Sequence, residues 1–511
     1  MGTQSDNKRL AKNTLLLYGR TFIMMLIGFY TSRVILNALG IENYGINNVV
    51  GGFVAMFSIV SGTLTATTQR YITVEIGKEE DGDPKRIFGV AMGIHVFLSL
   101  VLFLLFETVG LYFLNHGLNI PPKSLYAANW VFQFAVLSTL IGIINSPFIG
   151  VIIAHEKMNA FAYLTMFDVV AKLGIVFLLY ITPYDRLITY SFFYFIVSFI
   201  GTILYNSYCR KHFSEARFSV IKDSKIYKEM FRFAGMNFIG ALASLLSTQG
   251  SNILINIFYG VTLNAAMGIA TQIQGITTKF VGDFMTALKP QITKEYAAGN
   301  IDRSMLLAFR GSKFSFFLTL ILACPILVRT PYLLEFWLKL YPDYAVVFSR
   351  LVIILTLMVL LSDSLVAVIL ATGNLTSTTW WIGGTRLLIL PLAYVALLVT
   401  DNPSMVIVVQ IIMEITSLFI RLAILNNLTK VNFIGSFLSY VFIPIIVVSI
   451  ISLGITFGLH LMIPDNFVGL CGLSILSLIV TIFSIMYIGL TKHERSVVLV
   501  KAQNKFQRFK K

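Results

Sequence analysis

Fourteen long apolar segments limit what this chain can fold into more than any other feature of its sequence. Each has more than about 20 residues, the length that a helix needs to cross the hydrocarbon core of a bilayer. We number them spans 1 to 14, at 13–37, 45–68, 87–113, 126–153, 160–182, 187–209, 234–259, 264–288, 304–328, 344–371, 378–399, 405–425, 434–460 and 467–490. Charged residues make up 12% of the chain, against about 25% in soluble proteins. The sequence therefore predicts an all-α integral membrane protein with about 14 transmembrane helices.

The positive charges lie mainly on one side of the predicted membrane. The chain has 39 lysines and arginines and a formal net charge of +15. With the N-terminus inside, 26 of them fall in segments on the cytoplasmic side, 4 on the opposite side and 9 within spans. This asymmetry is typical of the positive-inside rule. We therefore expect both termini in the cytoplasm, and we interpret the net charge as a topology signal with no nucleic-acid partner.

Motifs for enzymatic chemistry are missing from the sequence. The longest segment on the outer side, 329–343, is too short for a folded catalytic domain. The chain has no GxxxxGK[ST] phosphate loop, no HExxH and no paired Cys/His spacing. Its three cysteines, Cys209, Cys324 and Cys471, lie far apart. We therefore expect no enzyme, no metal and no cofactor, and we place the function within the membrane.

A basic linker and a faint internal repeat predict the domain organisation. The linker at 210–233 divides the first twelve spans six and six. A shift of 220 residues superposes five identical pairs, namely Gly40 and Gly260, Gly62 and Gly282, Ile72 and Ile292, Thr73 and Thr293, and Glu75 and Glu295. We therefore predict a cytoplasmic N-terminus at 1–12, two pseudo-symmetric six-helix bundles at 13–209 and 234–425, two additional helices at 426–490 and a basic tail at 491–511. Parallel repeats of this kind are a transporter architecture.

The segment Leu39–Thr73 carries a resemblance to a known family. It reads LGIENYGINNVVGGFVAMFSIVSGTLTATTQRYIT. This resembles the polysaccharide-exporter branch of the multidrug/oligosaccharidyl-lipid/polysaccharide flippase superfamily, and within it the flippases for O-antigen and capsule units. The resemblance implies two six-helix bundles followed by two helices. It also implies export of undecaprenyl-pyrophosphate-linked oligosaccharides across the bacterial cytoplasmic membrane for lipopolysaccharide O-antigen or capsule, with membrane lipids and polysaccharide-assembly proteins as partners.

Cations within the spans are the candidates for a substrate site. A charged side chain at a helix centre costs at least about 2.5 to 3.5 kcal/mol, so it marks a functional position by default. A pyrophosphate head group needs cations in a water-filled cavity. The nine cations within spans are Arg20, Arg33, Lys172, Lys279, Arg310, Lys313, Arg350, Arg386 and Arg421. We predict substrate binding for Arg20, Lys172, Lys279, Arg310 and Arg386.

Each of these predictions has a structural alternative. Arg20 lies about 10 Å into span 1, where pairing with a neighbouring helix is the alternative to facing a cavity. Lys172 follows Asp168 by four residues, the favourable spacing for an intrahelical ion pair, which is either structural or a gate. Lys279 and Asp283 in span 8 have the same four-residue spacing, but with the lysine first.

Apart from Arg386, which lies about 12 Å into span 11, the remaining cations lie nearer to the span ends. Arg310 and Lys313 fit interfacial anchors as well as substrate contacts, whereas Arg386 has no acid within a turn. Arg33 fits snorkelling or pairing at the outer boundary. We interpret Arg350 and Arg421, near span ends, as topological.

Acids within the spans are candidates for gating or ion coupling. We assign this role to Asp168, Asp283, Asp363 and Glu414. Glu107, Asp363 and Glu414 have no cation within four residues, so each is either a proton or sodium site or is satisfied by another helix. Span 7 also carries a polar stripe, Ser244, Thr248, Asn252 and Asn256, which fits sugar binding or helix packing.

The predicted mechanism is alternating access without ATP. An outside-positive potential favours outward movement of a pyrophosphate by about 2.3 kcal/mol per charge per 100 mV. A cation-coupled multidrug antiporter of the same superfamily is one alternative, although it favours an acidic cavity. A membrane polysaccharide polymerase or ligase is another, although it normally needs a sizeable outer loop.

Overall fold

The computed structural model describes residues 2–77, 82–155, 157–217, 219, 221, 223–372 and 375–496. Over these residues the backbone forms helices and turns and no β-strand. Within the helices, the described side chains leave out 2–26, 58–60, 233–245 and 375–380 together with other scattered positions.

Helices occupy the positions of all fourteen spans. Ten helices of the described chain are long and apolar enough to cross a membrane: Pro84–His116, Pro122–Ala154, Asn159–Leu178, Arg186–His212, Ile301–Val328, Ala345–Ile369, Trp381–Thr400, Met405–Thr429, Ile434–Met462 and Phe467–Gly489. These are spans 3 to 6 and 9 to 14. Spans 1, 2, 7 and 8 lie in the helices Gly2–Ala55, Ser58–Gly77, Ser224–Tyr259 and Val261–Ala297. The prediction of an all-α, multi-pass membrane protein with about 14 helices is confirmed.

Two glycines end the first helix of each repeat in the same conformation. Gly40 interrupts the helix Gly2–Ala55 with φ 79° and ψ 169°. Gly260 follows the helix Ser224–Tyr259 with φ 77° and ψ −171°. Only glycine adopts these angles readily, since a side chain would clash with the backbone there. The two halves related by the 220-residue shift therefore share a backbone conformation at this glycine as well as sequence identities. Each glycine joins two helices without a loop.

A repeated glutamate binds the segment that follows the second helix of each repeat. Glu75 accepts a hydrogen bond at Oε2 from the backbone N–H of Asp83, at 3.0 Å. Glu295 forms an ion pair with Arg303, with 3.1 Å between Oε1 and Nε. Its Oε2 also accepts a hydrogen bond from Asn300 at 3.1 Å. In both repeats the carboxylate therefore binds a residue eight positions further along the chain.

The chain divides into two compact units, Met1–Ala265 and Ala266–Lys511. In the first unit, span 4 packs against spans 2, 3 and 6. Its core contains a cluster of aromatic rings, in which Phe106 lies 4.7 Å from Phe57 and 6.0 Å from Phe132 between ring centroids. In the second unit, span 10 packs against spans 9 and 12, and span 12 packs against span 11. The predicted domain boundaries stay a prediction.

Ion pairs attach spans 13 and 14 to span 9 at one end. Lys313 is fully buried and its Nζ lies 2.7 Å from Oε2 of Glu494. Arg310 lies 3.5 Å from the same carboxylate and donates to the Tyr440 hydroxyl at 3.4 Å. Burial raises the pKa of Glu494, but hydrogen bonds from Lys313 and Tyr440 outweigh it and hold the pKa below its ordinary value. Arg310 is thus engaged by the C-terminal helices.

A buried arginine, Arg329, holds the turn between spans 13 and 14. Arg329 donates from Nε to Nδ1 of His460 at 3.1 Å and from Nη2 to the carbonyl oxygen of Ile463 at 2.5 Å. It also pairs with Asp465 at 3.3 Å. Span 9 therefore binds the C-terminal helix pair through charged side chains near both of its ends.

Candidate functional site

Two acids of the second unit, both predicted from the sequence, have cationic partners. Asp363 of span 10 pairs with Lys289, with 2.9 Å between Oδ2 and Nζ. Glu414 of span 12 pairs with Arg421, with 2.8 Å between Oε1 and Nη1. Span 10 contacts both pairs, because its Ser362 donates to Glu414 Oε1 at 3.0 Å. The alternative that another helix satisfies these acids fits the geometry of Asp363, whereas Glu414 has its cationic partner on its own helix and a hydrogen bond from Ser362 of span 10.

The pair of Glu414 and Arg421 is the more buried of the two. The Glu414 side chain is 8% exposed and that of Arg421 is 2% exposed. Arg421 also donates from Nη1 to the Ser362 hydroxyl. Within the described part of the chain its Nε has no hydrogen-bond partner. Removing one member of a buried ion pair leaves an uncompensated charge and costs about 3 to 5 kcal/mol.

Arg386 of span 11 belongs to the same electrostatic environment. It is half-buried, and the charges of Glu414, Arg421 and Asp363 act on it. We call Lys289, Asp363, Arg386, Glu414 and Arg421 the C-terminal charge cluster. Its three cations and two carboxylates can bind an anion at the cations or a cation at the carboxylates. An anion that displaces a carboxylate from its partner would open an ion pair.

The predicted pair of Asp168 and Lys172 is present in the first unit. The Lys172 Nζ lies 2.8 Å from Oδ2 of Asp168. The same ammonium lies 4.3 Å from the ring centroid of Tyr194 in span 6. The side chains are 26% and 40% exposed for Lys172 and Asp168. The intrahelical pairing is therefore observed, while the substrate and gating roles of these residues stay predictions.

Four other predicted site residues remain, Arg20, Lys279, Asp283 and Arg310. The side chains of Arg20, Lys279 and Asp283 are outside the described residues, although their helices are described. Arg310 contacts Glu494 and Tyr440, as described above. Of the five predicted substrate cations, Arg386 is the one whose described surroundings join it to the predicted acids Asp363 and Glu414.

Sequence reasoning missed two members of the C-terminal charge cluster. Lys289 lies one residue beyond the predicted end of span 8, so it was counted among the cytoplasmic cations, but the helix runs on to Ala297. Arg421 was interpreted as topological because it lies near the end of span 12, but it is buried against Glu414. For Arg421 the available signal was its spacing of seven residues, or two helical turns, from Glu414.

The polar stripe of span 7 takes part in an asparagine network within the first unit. Asn252 donates to the side-chain oxygen of Asn48 at 3.1 Å. Asn264 donates to that of Asn252, and Asn256 donates to that of Asn264, both at 2.8 Å. The backbone N–H of Asn119 donates to Asn256 at 2.8 Å. These amides therefore satisfy one another between spans 2, 7 and 8, as helix packing requires.

Comparison with known proteins identifies the family. The family described as "Polysaccharide biosynthesis protein" matches residues 10–294, more than half of the chain. The chain belongs to the polysaccharide biosynthesis protein family. The resemblance inferred from Leu39–Thr73 is confirmed, since that segment lies inside the match. No curated protein matches the sequence.

Solved structures show the fold of this polysaccharide biosynthesis family protein. The lipid II flippase MurJ in an inward closed conformation has a TM-score of 0.71 at 13% identity, covering 93% of this chain and 99% of MurJ. An inward-facing multidrug resistance MATE family transporter of the MOP superfamily has a TM-score of 0.62 at 12% identity, covering 80% of this chain and 96% of the transporter. An outward-facing multidrug resistance MATE family transporter of the MOP superfamily has a TM-score of 0.57 at 13% identity, covering 81% of this chain and 96% of the transporter. This polysaccharide biosynthesis family protein therefore has the fold that MurJ and the MATE transporters share.

Four residues of the C-terminal charge cluster lie beyond the family match. Asp363, Arg386, Glu414 and Arg421 follow residue 294, whereas Lys289 lies within the match. Membership of the polysaccharide biosynthesis protein family therefore assigns no role to these four, and their function has to be argued from their geometry.

Proposed function

We propose that this protein is a flippase for undecaprenyl-pyrophosphate-linked oligosaccharides, which it moves from the inner to the outer leaflet of the bacterial cytoplasmic membrane. The units serve surface polysaccharide, either O-antigen or capsule. The observation that carries the proposal is the family match over residues 10–294. The placement of 26 cations on one side supports a topology with both termini in the cytoplasm.

The head group is bound by cations within the spans. A pyrophosphate carries about two negative charges, which charge-assisted hydrogen bonds from arginine and lysine neutralise most effectively. We assign this role to Arg20, Lys172, Lys279, Arg310 and Arg386. In the C-terminal charge cluster, Arg386 shares its surroundings with the two ion-paired acids. A phosphate oxygen that binds there competes with the carboxylates for their cations.

Ion pairs act as gates in this scheme. Asp168, Asp283, Asp363 and Glu414 neutralise cations when no substrate is present, and the pairs of Asp363 with Lys289 and of Glu414 with Arg421 have the required geometry. When substrate binds, its phosphate takes the place of the carboxylate beside a cation. The ion pair between protein side chains opens, and an ion pair between the cation and the phosphate forms. The protein alternates between inward-open and outward-open states while the lipid tail stays in the bilayer. The membrane potential, about 2.3 kcal/mol per charge per 100 mV, favours export.

A reconstituted flipping assay tests the proposal. Purified protein in liposomes is given an undecaprenyl-pyrophosphate-linked oligosaccharide, and its appearance in the opposite leaflet is followed with an impermeant sugar-modifying reagent. Arg386→Ala should slow flipping, and the combination with Arg20→Ala and Lys279→Ala should abolish it. Lys211→Ala removes an exposed cation at the end of span 6 and should leave the rate unchanged. Unchanged flipping by the triple variant would overturn the residue assignments.

A second candidate function is cation-coupled multidrug antiport. The fold similarity to the MATE transporters favours it, at a TM-score of 0.62, as do the membrane carboxylates Asp363 and Glu414. The surplus of cations within the spans disfavours a cavity for cationic drugs. Cation-driven dye efflux from the same liposomes, without flipping of the lipid-linked sugar, would establish this function instead.

A further inference from the structure

Three tyrosines lie beside the ion pair of Asp168 and Lys172 in the first unit. Tyr190 and Tyr194 are four residues apart, so they share one face of span 6. Their ring centroids lie 6.1 Å apart, and the ammonium of Lys172 lies 4.3 Å from the centroid of Tyr194. Tyr190 also interacts electrostatically with Tyr194 and with Tyr44, at the start of span 2. We call Tyr44, Tyr190 and Tyr194 the tyrosine group.

Two rings of the tyrosine group rest on the apolar core of the first unit. Tyr44 and Tyr190 pack against a cluster of buried side chains that includes Val34, Val176 and Leu187. Both tyrosines are nevertheless half-buried, so each keeps part of its surface accessible. The core therefore fixes the position of the rings while it leaves one side of each open.

The hydroxyls of these two tyrosines are available to a ligand. No hydrogen bond joins the Tyr44 or the Tyr190 hydroxyl to another residue in the described part of the chain. Polar groups inside proteins are normally hydrogen-bonded, and a phenolic hydroxyl both donates and accepts. Two such hydroxyls can therefore bind a molecule that itself carries donors and acceptors.

The ion pair of Asp168 and Lys172 shows which side of span 5 this group adjoins. Charged side chains within spans face the interior of the bundle or a water-filled cavity and avoid lipid. The Tyr194 ring contacts Lys172, so the tyrosine group lies on the same side of span 5. A hydrophilic ligand is expected there.

A sugar ring matches this combination of groups. Its C–H face is apolar and packs on an aromatic ring, while its hydroxyls both donate and accept hydrogen bonds. Tyrosine supplies an apolar ring with a polar tip. The Asp168 carboxylate accepts hydrogen bonds, and the Lys172 ammonium donates them. Rings, hydroxyls and charges of the right kinds thus lie together on three helices.

We propose that the tyrosine group, with Asp168, is a carbohydrate-binding site that takes the sugar ring joined to the pyrophosphate of the substrate. The inference rests on the proposed function and names the part of the substrate that the first unit recognises. Lys172 is one of the cations assigned to the head group, which places the adjoining sugar beside it. When a phosphate takes Lys172, the released Asp168 carboxylate accepts hydrogen bonds from the sugar hydroxyls.

Equilibrium binding of two lipids to the purified protein in nanodiscs tests the proposal. One is undecaprenyl pyrophosphate, and the other is the undecaprenyl-pyrophosphate-linked oligosaccharide extracted from cells that naturally produce this protein. The wild type should bind the oligosaccharide lipid at least about tenfold more tightly, because more than one hydrogen bond is added. Tyr44→Phe and Tyr190→Phe should each weaken binding of the oligosaccharide lipid about two- to tenfold. Neither should change the affinity for undecaprenyl pyrophosphate, which also shows that both variants are folded.

Two further variants separate sugar recognition from other effects. Lys172→Gln removes a head-group cation and should weaken binding of both lipids. Tyr163→Ala is the matched control on span 5, since Tyr163 is 75% exposed. It precedes Lys172 by nine residues, about 180° around the helix. It should leave both affinities unchanged.

Two results would overturn the carbohydrate site. One is equal affinity of the wild type for the two lipids. The other is that Tyr44→Phe and Tyr190→Phe leave the affinity for the oligosaccharide lipid unchanged, or weaken binding of both lipids alike. Flipping of the oligosaccharide lipid in liposomes would leave the flippase function standing in either case. Sugar-selective binding that these variants lose, without flipping by the wild type, would support the site and overturn the flippase function.

Discussion

Arg421 and Glu414 lie seven residues apart on one helix and form a buried ion pair, with 2.8 Å between Nη1 and Oε1. Ser362 of span 10 bonds to both side chains, so the pair also joins two helices. The carboxylate thus accepts two hydrogen bonds, which offset part of the cost of burying it.

Removing one charge of this pair should destabilise the protein strongly. Arg421→Met leaves Glu414 buried without its ion-pair partner, and we expect a loss of about 3 to 5 kcal/mol in the free energy of unfolding. Combining it with Glu414→Leu should recover most of this loss, since both charges of the buried pair are then removed together. Urea unfolding in detergent micelles measures both variants. Equal stabilities for the single and double variants would show that the pair is not coupled.

Substituting the repeated glycines tests the backbone symmetry. Gly40→Ala and Gly260→Ala should each cost about 1 to 3 kcal/mol, because alanine is strained at these backbone angles. The strain comes from the local backbone and not from contact with other residues. A Cβ at Gly40 meets no other atom within 4 Å, and one at Gly260 lies 3.8 Å from Asn119. Gly62→Ala is the matched control: this helical glycine also has open space, and alanine there should stabilise by about 0.4 to 1 kcal/mol. Thermal unfolding temperatures compare the three variants.

Acid should weaken the attachment of the C-terminal helices. The pKa of Glu494 is lowered in the folded protein, so its contribution to stability is complete above its ordinary value of 4.5 and is lost as the pH falls through the folded-state value. Glu494→Gln lacks this contribution. The unfolding temperature of the wild type should therefore exceed that of Glu494→Gln at neutral pH, and the difference should shrink below pH 4.5. A difference that is constant over this range would contradict the assignment.

Spacing along the chain predicted local features well. The four-residue step from Asp168 to Lys172 encodes an ion pair directly, because such residues face each other on a helix. The repeat placed Gly40 and Gly260 in equivalent positions, and both have the same backbone conformation. The apolar segments located the helices at all fourteen spans, since the length of a span follows from the thickness of the bilayer.

Contacts between distant helices could not be predicted in this way. Lys289 reaches Asp363 from another helix, and no spacing rule connects spans 8 and 10. Arg310 lies within the helix of span 9, yet its partner Glu494 lies beyond the last span. Hydropathy also ended span 8 before Lys289, because the helix continues with a polar composition to Ala297.

Exchanging the charges of Lys289 and Asp363 separates the two roles open to Asp363. As a gate, Asp363 acts through its pair with Lys289, which places Nζ 2.9 Å from Oδ2. Asp363→Lys and Lys289→Asp should each reduce flipping about tenfold or more, because each places like charges together. The double exchange restores opposite charges and should recover most of the flipping rate in the reconstituted assay. As an ion-coupling ligand, Asp363 would be needed at its own position on span 10, and the double exchange would stay as inactive as the single variants.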